Sequence, residues 1–192
     1  VLAVCASRRR NAGILAAVVT ILLGVSGCTD LPPLPQGDPG PYRLDAGDQI
    51  RVITYGDERL SGTFRIGDGG TVEFPLVGPV AARGLTAEEL EGKLASDLRA
   101  RQLMEHPSVS VQVEQYRPVF ILGEVSRPGR YPYEPGMTVL TVVAAAGGYT
   151  YRAARSQAVI EREIGHSATQ GLVPMTAPVE PADVITIRER YF

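Results

Sequence analysis

From residue 42 onward, apolar and polar positions alternate in short runs separated by glycine-rich turns. In YRLDAGDQIRVITYG, Ile50 and Val52 flank Arg51 before Ile53, which predicts a strand with one face on a core. Gly47 and Asp48 form the turn that starts it. Phe64 and Ile66 begin another strand, Asp68-Gly69-Gly70 supplies a tight turn, and Val72, Phe74 and Leu76 continue the alternation. That arrangement predicts a hairpin, because glycine tolerates the positive φ of such turns. Residues 86–104 read differently: Leu90, Leu94 and Leu98 recur every fourth position, and Thr86 with Glu89 fits a capping box. A helix packed on the sheet is expected there, ending before Pro107. SVSVQVEQ, from 108, returns to strict alternation, with Val109, Val111 and Val113 facing inward.

A second segment opens with VFILGEV at 119–125, turns at Arg127, Pro128 and Gly129, and continues through Tyr131 and Tyr133. TVLTVVAAA at 138–146 predicts a short helix, stopped where Gly147 and Gly148 can take a left-handed cap. After a polar stretch, AVIER and DVITIRERYF read as strands; EREIGHSATQG reads as a polar insertion. Strand, turn, strand, small helix, strand, strand is compatible with a β-grasp unit. The fold class expected is therefore α+β: a small domain of strands with one packed helix, then a β-grasp-like domain. A weak echo links Ala46-Gly47-Asp48-Gln49-Ile50 to Pro181-Ala182-Asp183-Val184-Ile185. Each is read first as a turn whose Asp satisfies local backbone donors.

The region before residue 42 follows another logic. Arg8, Arg9 and Arg10 precede the apolar run ILAAVVTILLGV at 14–25, which is too short to span a bilayer, where about 20 residues are needed. Charge followed by a short apolar run is the order of a secretory signal. Val25-Ser26-Gly27-Cys28 resembles a lipobox, so a cleaved leader over 1–27 and lipidation of Cys28 are expected. Several acyl chains would make that anchor effectively permanent, at about 0.8 kcal/mol per buried methylene. Thr29 follows the cysteine where an inner-membrane retention signal would have Asp, although Asp30 comes next. Residues 28–41, including LPPLPQGDPGP, form a proline-rich tether that is extended and holds the folded part off the lipid surface.

Composition narrows the function classes. The chain has 192 residues with a formal net charge of −2; the leader carries Arg8, Arg9 and Arg10 and no acids, so its removal leaves 16 basic against 21 acidic residues. No basic stripe remains to track a phosphate backbone, so nucleic acid is excluded as an expected partner. Both cysteines, Cys5 and Cys28, lie at or before the cleavage point, and His106 and His166 are the two histidines, so neither a disulfide nor a metal site is expected. No nucleophile elbow, zinc-protease motif or Walker loop occurs. Asp45, Asp48, Asp57 and Glu58 are close in sequence, but turn and surface roles explain them, and paired carboxylates for sugar hydrolysis need a defined separation across a cleft. No catalytic residue, no cofactor and no enzymatic activity is therefore expected. Tyrosines gather in the second half, and Tyr131, Tyr133 and Tyr149 are candidate glycan or subunit contacts, since a tyrosine offers a flat apolar face and a polar hydroxyl.

In order, FPLVGPV, GLTAEEL, GEVSRPGRYPY and AAAGGYT resemble the outer-membrane lipoproteins of the Wza/GumB type that export capsular and extracellular polysaccharide. The resemblance implies a polysaccharide export domain over 42–116 and a soluble-ligand-binding (SLBB) domain over 117–192, the latter β-grasp-like, with PADVITIRERYF as its closing strand. Ala182 stands where the family usually has glycine, and no C-terminal amphipathic helix of the sort with which larger members cross the outer membrane is found. The resemblance further implies a lipid-anchored component facing the periplasm from the outer membrane, an oligomeric ring for polysaccharide transport, with an inner-membrane polysaccharide copolymerase and a separate outer-membrane pore as partners. The competing reading is a carbohydrate-binding envelope scaffold lipoprotein without a transport role.

Overall fold

The strand that organises the first domain is β1 (Gln49–Tyr55), which lies between β2 (Gly62–Arg65) and β5 (Ser108–Gln115) in a three-stranded antiparallel sheet. The structure, a computed structural model, describes residues 31–34, 40–164 and 167–190. The leader, Cys28, His166, Tyr191 and Phe192 lie outside the described residues. β2 pairs Phe64 with Ile50, and β5 sets Val113 and Val111 opposite Ile50 and Val52. Period-two alternation thus puts one apolar row on one face. α1 (Ala87–Ala100) covers that face: Leu90, Leu94 and Leu98 are fully buried with Ile50, Val52, Val72, Phe74 and Val111. Each such leucine contributes about 1.5–3 kcal/mol through burial.

The start of α1 follows from its sequence. The Thr86 hydroxyl accepts the Glu89 N–H at 3.1 Å, and the Glu89 carboxylate accepts the Thr86 N–H at 2.8 Å. Glu91 then accepts the Val111 N–H at 2.7 Å, tying the helix to the edge strand β5.

Two features differ from the expectations. The turn at Asp68-Gly69-Gly70 does not close a hairpin, because β2 belongs to the β1 sheet while β3 (Thr71–Phe74) pairs with β4 (Gly78–Ala81) in a separate two-stranded ladder. The reason is long-range: β1 offers Ile50 to Phe64, and β4 offers Val80 to Val72. Leu76 does not continue the alternation either; it sits in the β3–β4 turn with φ +62° and 66% of its surface exposed.

The second domain is one five-stranded sheet. β6 (Val119–Gly123) and β10 (Val184–Ile187) run parallel side by side in its middle. β7 (Gly129–Tyr131) flanks β6, and β8 (Gln157–Ile164) and then β9 (Ser167–Pro174) lie beyond β10, all antiparallel to their neighbours. α2 (Val139–Ala145) lies on the inner face, burying Val139, Val142 and Val143 against Val119, Ile121, Ile160, Ile185 and Ile187. Thr138 and Thr141 form its reciprocal cap. The stretch expected as a polar insertion is instead part of a long antiparallel hairpin, β8 with β9, running from Gln157↔Pro174 to Ile164↔Ser167. Its composition hides β9, because Ser167-Ala168-Thr169-Gln170 is polar on both faces at a sheet edge.

The tether also departs from a free spacer. The Leu172 N–H donates to the Pro32 carbonyl at 3.0 Å, the Leu34 N–H donates to Leu172, and Pro33 forms a parallel bridge to Leu172. Residues 32–34 thus extend the sheet at β9. Gly171 permits this: a Cβ there would lie 2.4 Å from the Leu34 nitrogen. Among the described residues, no helix is long and apolar enough to cross a membrane.

Candidate functional site

The link between the domains, Tyr116-Arg117-Pro118, runs through two polar clusters built on the same plan. In the first, the side chain of Asp48 is wholly buried and takes three hydrogen bonds: from the Tyr42 hydroxyl at 2.6 Å, the Asp45 N–H at 2.9 Å and the Arg117 N–H at 3.0 Å. Full hydrogen bonding is what makes a buried carboxylate tolerable. Arg117 supplies the countercharge, its Nη1 3.2 Å from Asp45 and its Nε 3.6 Å from Asp48, while Arg83 donates to Asp45 at 2.7 Å. Burial opposes ionisation of Asp45, but the Ala46 amide and the guanidinium groups of Arg83 and Arg117 outweigh it and hold that carboxyl below its ordinary value. Burial and the Asp48 charge push the Tyr42 phenol far up.

In the second cluster, Asp183 accepts the Glu180 N–H at 2.7 Å and a bidentate pair from Arg162, Nε at 2.8 Å and Nη2 at 2.6 Å. Both partners are almost completely buried. The backbone matches the first cluster: Gly47 and Ala182 have φ +95° and +74°, and the N–H groups of Asp48 and Asp183 donate to the carbonyls of Asp45 and Glu180. The weak sequence echo is therefore one turn used twice, in which the Asp serves local donors and also a buried arginine. Sequence reasoning misses Arg117 and Arg162, because each countercharge lies outside the turn and far along the chain from the aspartate it faces.

Three tyrosine rings join the clusters. Tyr42 meets Tyr116 edge-on at 4.9 Å, and Tyr116 meets Tyr133 edge-on at 5.4 Å. Burial, Tyr116 and the carboxylates of Glu180 and Asp183 all push the Tyr133 phenol up, so this ring faces both a neighbour from the link and the second cluster. A cleft of about 570 Å³ opens alongside, lined by Arg65, Glu114, Tyr116, Arg130, Tyr133 and Glu134 among others.

The other residues singled out from sequence divide by place. Gly47 and Gly70 lie in first-domain turns; Gly69 lies beside Gly70 in the turn closed by the Gly70 N–H on the Gly67 carbonyl. Arg127, Pro128, Gly129, Gly147 and Gly148 come together at one end of the second sheet, where the Arg127 N–H donates to Ala146 and the Ser126 N–H to Gly148. Tyr131 and Tyr149 belong to this end as well. The Tyr131 hydroxyl donates to the Arg127 carbonyl at 2.7 Å, and the Arg155 guanidinium lies 5.6 Å from the Tyr149 ring centre. Tyr133 stands apart from them at the domain junction. His106 precedes β5 on the surface, as a solvated residue. No cluster of three or more potential metal ligands occurs among the described residues.

Comparison with known proteins matches residues 36–114 to the polysaccharide biosynthesis/export protein family and residues 118–172 to the SLBB domain family. Exopolysaccharide production protein ExoF of Rhizobium meliloti (strain 1021) is 37% identical over 118 residues, covering 56% of this chain and 28% of that protein. Polysialic acid transport protein KpsD of Escherichia coli is 28% identical over 109 residues, covering 56% of this chain and 19% of KpsD. The matched stretch is thus under a third of either relative's length. An export domain followed by an SLBB domain is the architecture that matches the Wza/GumB-type outer-membrane polysaccharide export protein family.

Proposed function

We propose that this protein is a subunit of an oligomeric periplasmic conduit through which a capsular or extracellular polysaccharide leaves the cell. The observation that carries the reading is the succession of export and SLBB domains joined through a half-buried link, with Asp48 accepting the Arg117 N–H and Tyr116 packed on rings from both sides. Such a link presents the two domains as one body, which is what stacking subunits into a ring requires. Both domain interiors are filled by apolar side chains, so a hydrated polymer must pass between copies rather than through one. Cyclic symmetry is the arrangement that closes such a path.

The second domain is read as β-grasp-like. Numbered within the domain, its strand order is 2-1-5-3-4, with strands 1 and 5 parallel at the centre and one helix across the inner face. Domain limits of 42–116 and 117–192 are kept as part of the proposal, with Gly47, Asp48, Gly69, Gly70, Arg127, Pro128, Gly129, Gly147 and Gly148 shaping turns and Tyr131, Tyr133 and Tyr149 as glycan or subunit contacts. The sequence signals around Cys28 support a lipid anchor at the outer membrane facing the periplasm. Because residues 32–34 are bound to β9, an acylated Cys28 would hold the second domain near the lipid surface rather than on a long spacer. An inner-membrane polysaccharide copolymerase and a separate outer-membrane pore are the proposed partners, and the energy for transport comes from elsewhere.

Deletion of the gene tests this reading. Assembled polysaccharide accumulates in the periplasm while secreted polysaccharide falls if the chain is a conduit subunit. Unchanged secretion together with weakened surface attachment of glycan would support an envelope scaffold instead.

A further inference from the structure

The direction in which residues 32–34 join the second sheet decides which end of that sheet the N-terminal chain comes from. Leu172 spends both its N–H and its C=O on these residues, so in the β8–β9 ladder Val159 and Leu172 form a pair without mutual hydrogen bonds. Every second pair repeats that geometry. Gln170 and Ala168 therefore also turn their backbone groups to the same open edge of β9. Pro33 bridges Leu172 in parallel, so the chain before Pro32 arrives from the side where β9 begins. That side is the closed end of the hairpin, where Ile164 pairs with Ser167. Leu31 resists turning the chain back, because a residue that precedes proline is confined to extended conformations. From Pro32 back to Cys28 the chain spans at most about 14 Å.

We infer that the chain before Pro32 continues along this edge, and that the closed end of the β8–β9 hairpin is the surface that rests on the lipid bilayer, with Ile164 entering its headgroup layer. The inference rests on the lipid-anchor reading and adds to it the face that meets the membrane and the lipid chemistry this face fits. Counting back from the Pro33–Leu172 bridge by the same number of residues on both strands sets Cys28 level with Ser167. The acyl chains then enter the bilayer beside Ile164. That isoleucine is 46% exposed at the end of its strand, and Ala168, on the facing strand, is exposed as well. The charges select the lipid. Glu163 is exposed here, Glu161 accepts a hydrogen bond from Gln170, and the cation of the described hairpin residues, Arg162, is buried against Asp183 and Glu180. An anionic surface would repel this end, whereas the ammonium of a zwitterionic phosphatidylethanolamine meets Glu163 favourably. One isoleucine does not hold a protein to a membrane, so the acyl chains supply the affinity and the hairpin sets the orientation.

Fluorescence quenching of the acylated protein on vesicles is the test. The cysteines of the chain are Cys5 and Cys28, so once the leader is removed and Cys28 is acylated an introduced cysteine is the single free thiol. Ile164→Cys and Leu140→Cys are each labelled with bimane and bound to vesicles of phosphatidylethanolamine and phosphatidylcholine, with and without a nitroxide near the top of the acyl chain. Leu140 is the control: it is exposed on α2, and its N–H donates to Met175, just beyond the opposite end of β9. The label at residue 164 should lose most of its fluorescence to the nitroxide, and the label at 140 should keep it. A long Gly-Ser linker inserted between Thr29 and Asp30 should restore the fluorescence at 164, because a flexible spacer no longer holds the hairpin down. Both positions are on the surface, so unchanged thermal unfolding verifies that each labelled variant is folded. No quenching at 164, equal quenching at 140, or quenching at 164 that survives the linker overturns the inference. Mass spectrometry of the same sample separates two failures. An acylated protein without quenching at 164 rejects this face alone, whereas a mature protein without acyl chains removes the anchor reading together with the inference.

Discussion

Ala182 occupies in the second domain the position that Gly47 occupies in the first. Both have positive φ, +74° and +95°, and both precede a buried aspartate that accepts the backbone N–H three residues earlier. A residue with a Cβ is strained in this conformation by about 1–2 kcal/mol, and glycine is not. Ala182→Gly is therefore expected to stabilise the protein by about 1 kcal/mol, the relief exceeding the added freedom of the unfolded chain. Gly47→Ala should destabilise it by a similar amount, since the new methyl would meet the Arg117 side chain at ordinary distances, Cγ at 3.5 Å and Cδ at 3.9 Å. Urea denaturation of the two variants checks both signs.

The pair Asp183–Arg162 makes a second prediction. Both side chains are nearly inaccessible, and the guanidinium donates two hydrogen bonds to the one carboxylate. Removing one member of such a pair leaves an uncompensated buried charge, which costs about 3–5 kcal/mol. The Glu180 carboxylate, also paired with Arg162, still compensates part of that charge in Asp183→Ala, so a loss below that range is expected, and a smaller one in Asp183→Asn, because the amide oxygen still accepts the Glu180 N–H. Equal losses, measured by chemical denaturation, would show that the charge rather than the local turn bond matters.

Gly123 ends β6 beside the parallel strand β10. Its φ is +84°, and a Cβ there would sit 2.1 Å from the Ile187 carbonyl oxygen, a main-chain atom that is itself held by the Glu124 N–H at 2.9 Å. Gly148 has a similar φ of +87° but open space around its would-be Cβ. Gly148→Ala should cost about 1–2 kcal/mol, from the backbone alone. Gly123→Ala should cost several kcal/mol more, because the two central strands must separate; thermal unfolding distinguishes the two.

The Tyr42 phenol carries a pH dependence. Burial and the Asp48 charge raise its folded-state pKa well above the ordinary 10.0. In the window above 10.0 the unfolded chain loses this proton and the folded chain keeps it, so stability is full below that range and falls as pH rises through it. Tyr42→Phe should flatten this alkaline decline, at the cost of about 1–2 kcal/mol at neutral pH for the lost hydrogen bond to Asp48. At the acid end, Asp45 acts oppositely: its depressed folded-state pKa gives stability that is present above the unfolded value and lost as pH falls through the folded one. Stability measured across pH for the wild type and Tyr42→Phe tests the alkaline limb.

The helix α1 is legible in the sequence because local signals agree: a capping box at Thr86 and Glu89 and a leucine every fourth residue. The alternation of β1 and β5 is equally clear, since one face of each is buried and the other solvated. The features that sequence does not reveal depend on partners distant along the chain. Phe64 and Val72 flank a good turn, yet each is claimed by another strand, Phe64 by Ile50 and Val72 by Val80. Prolines at 32 and 33 signal an extended chain, but only the missing side chain of Gly171 lets that chain dock on β9. The candidate site shows the same division. Tyr131, Tyr133 and Tyr149 can be named from composition, whereas Arg117 and Arg162 become the countercharges of Asp48 and Asp183 only once the chain is folded.

The claim on which the functional account depends is that copies of this chain together enclose the path that no single copy contains. Native mass spectrometry of the detergent-solubilised protein, prepared with its inner-membrane partner present, measures this directly. A single closed stoichiometry is the predicted result, and a monomer throughout would contradict the conduit.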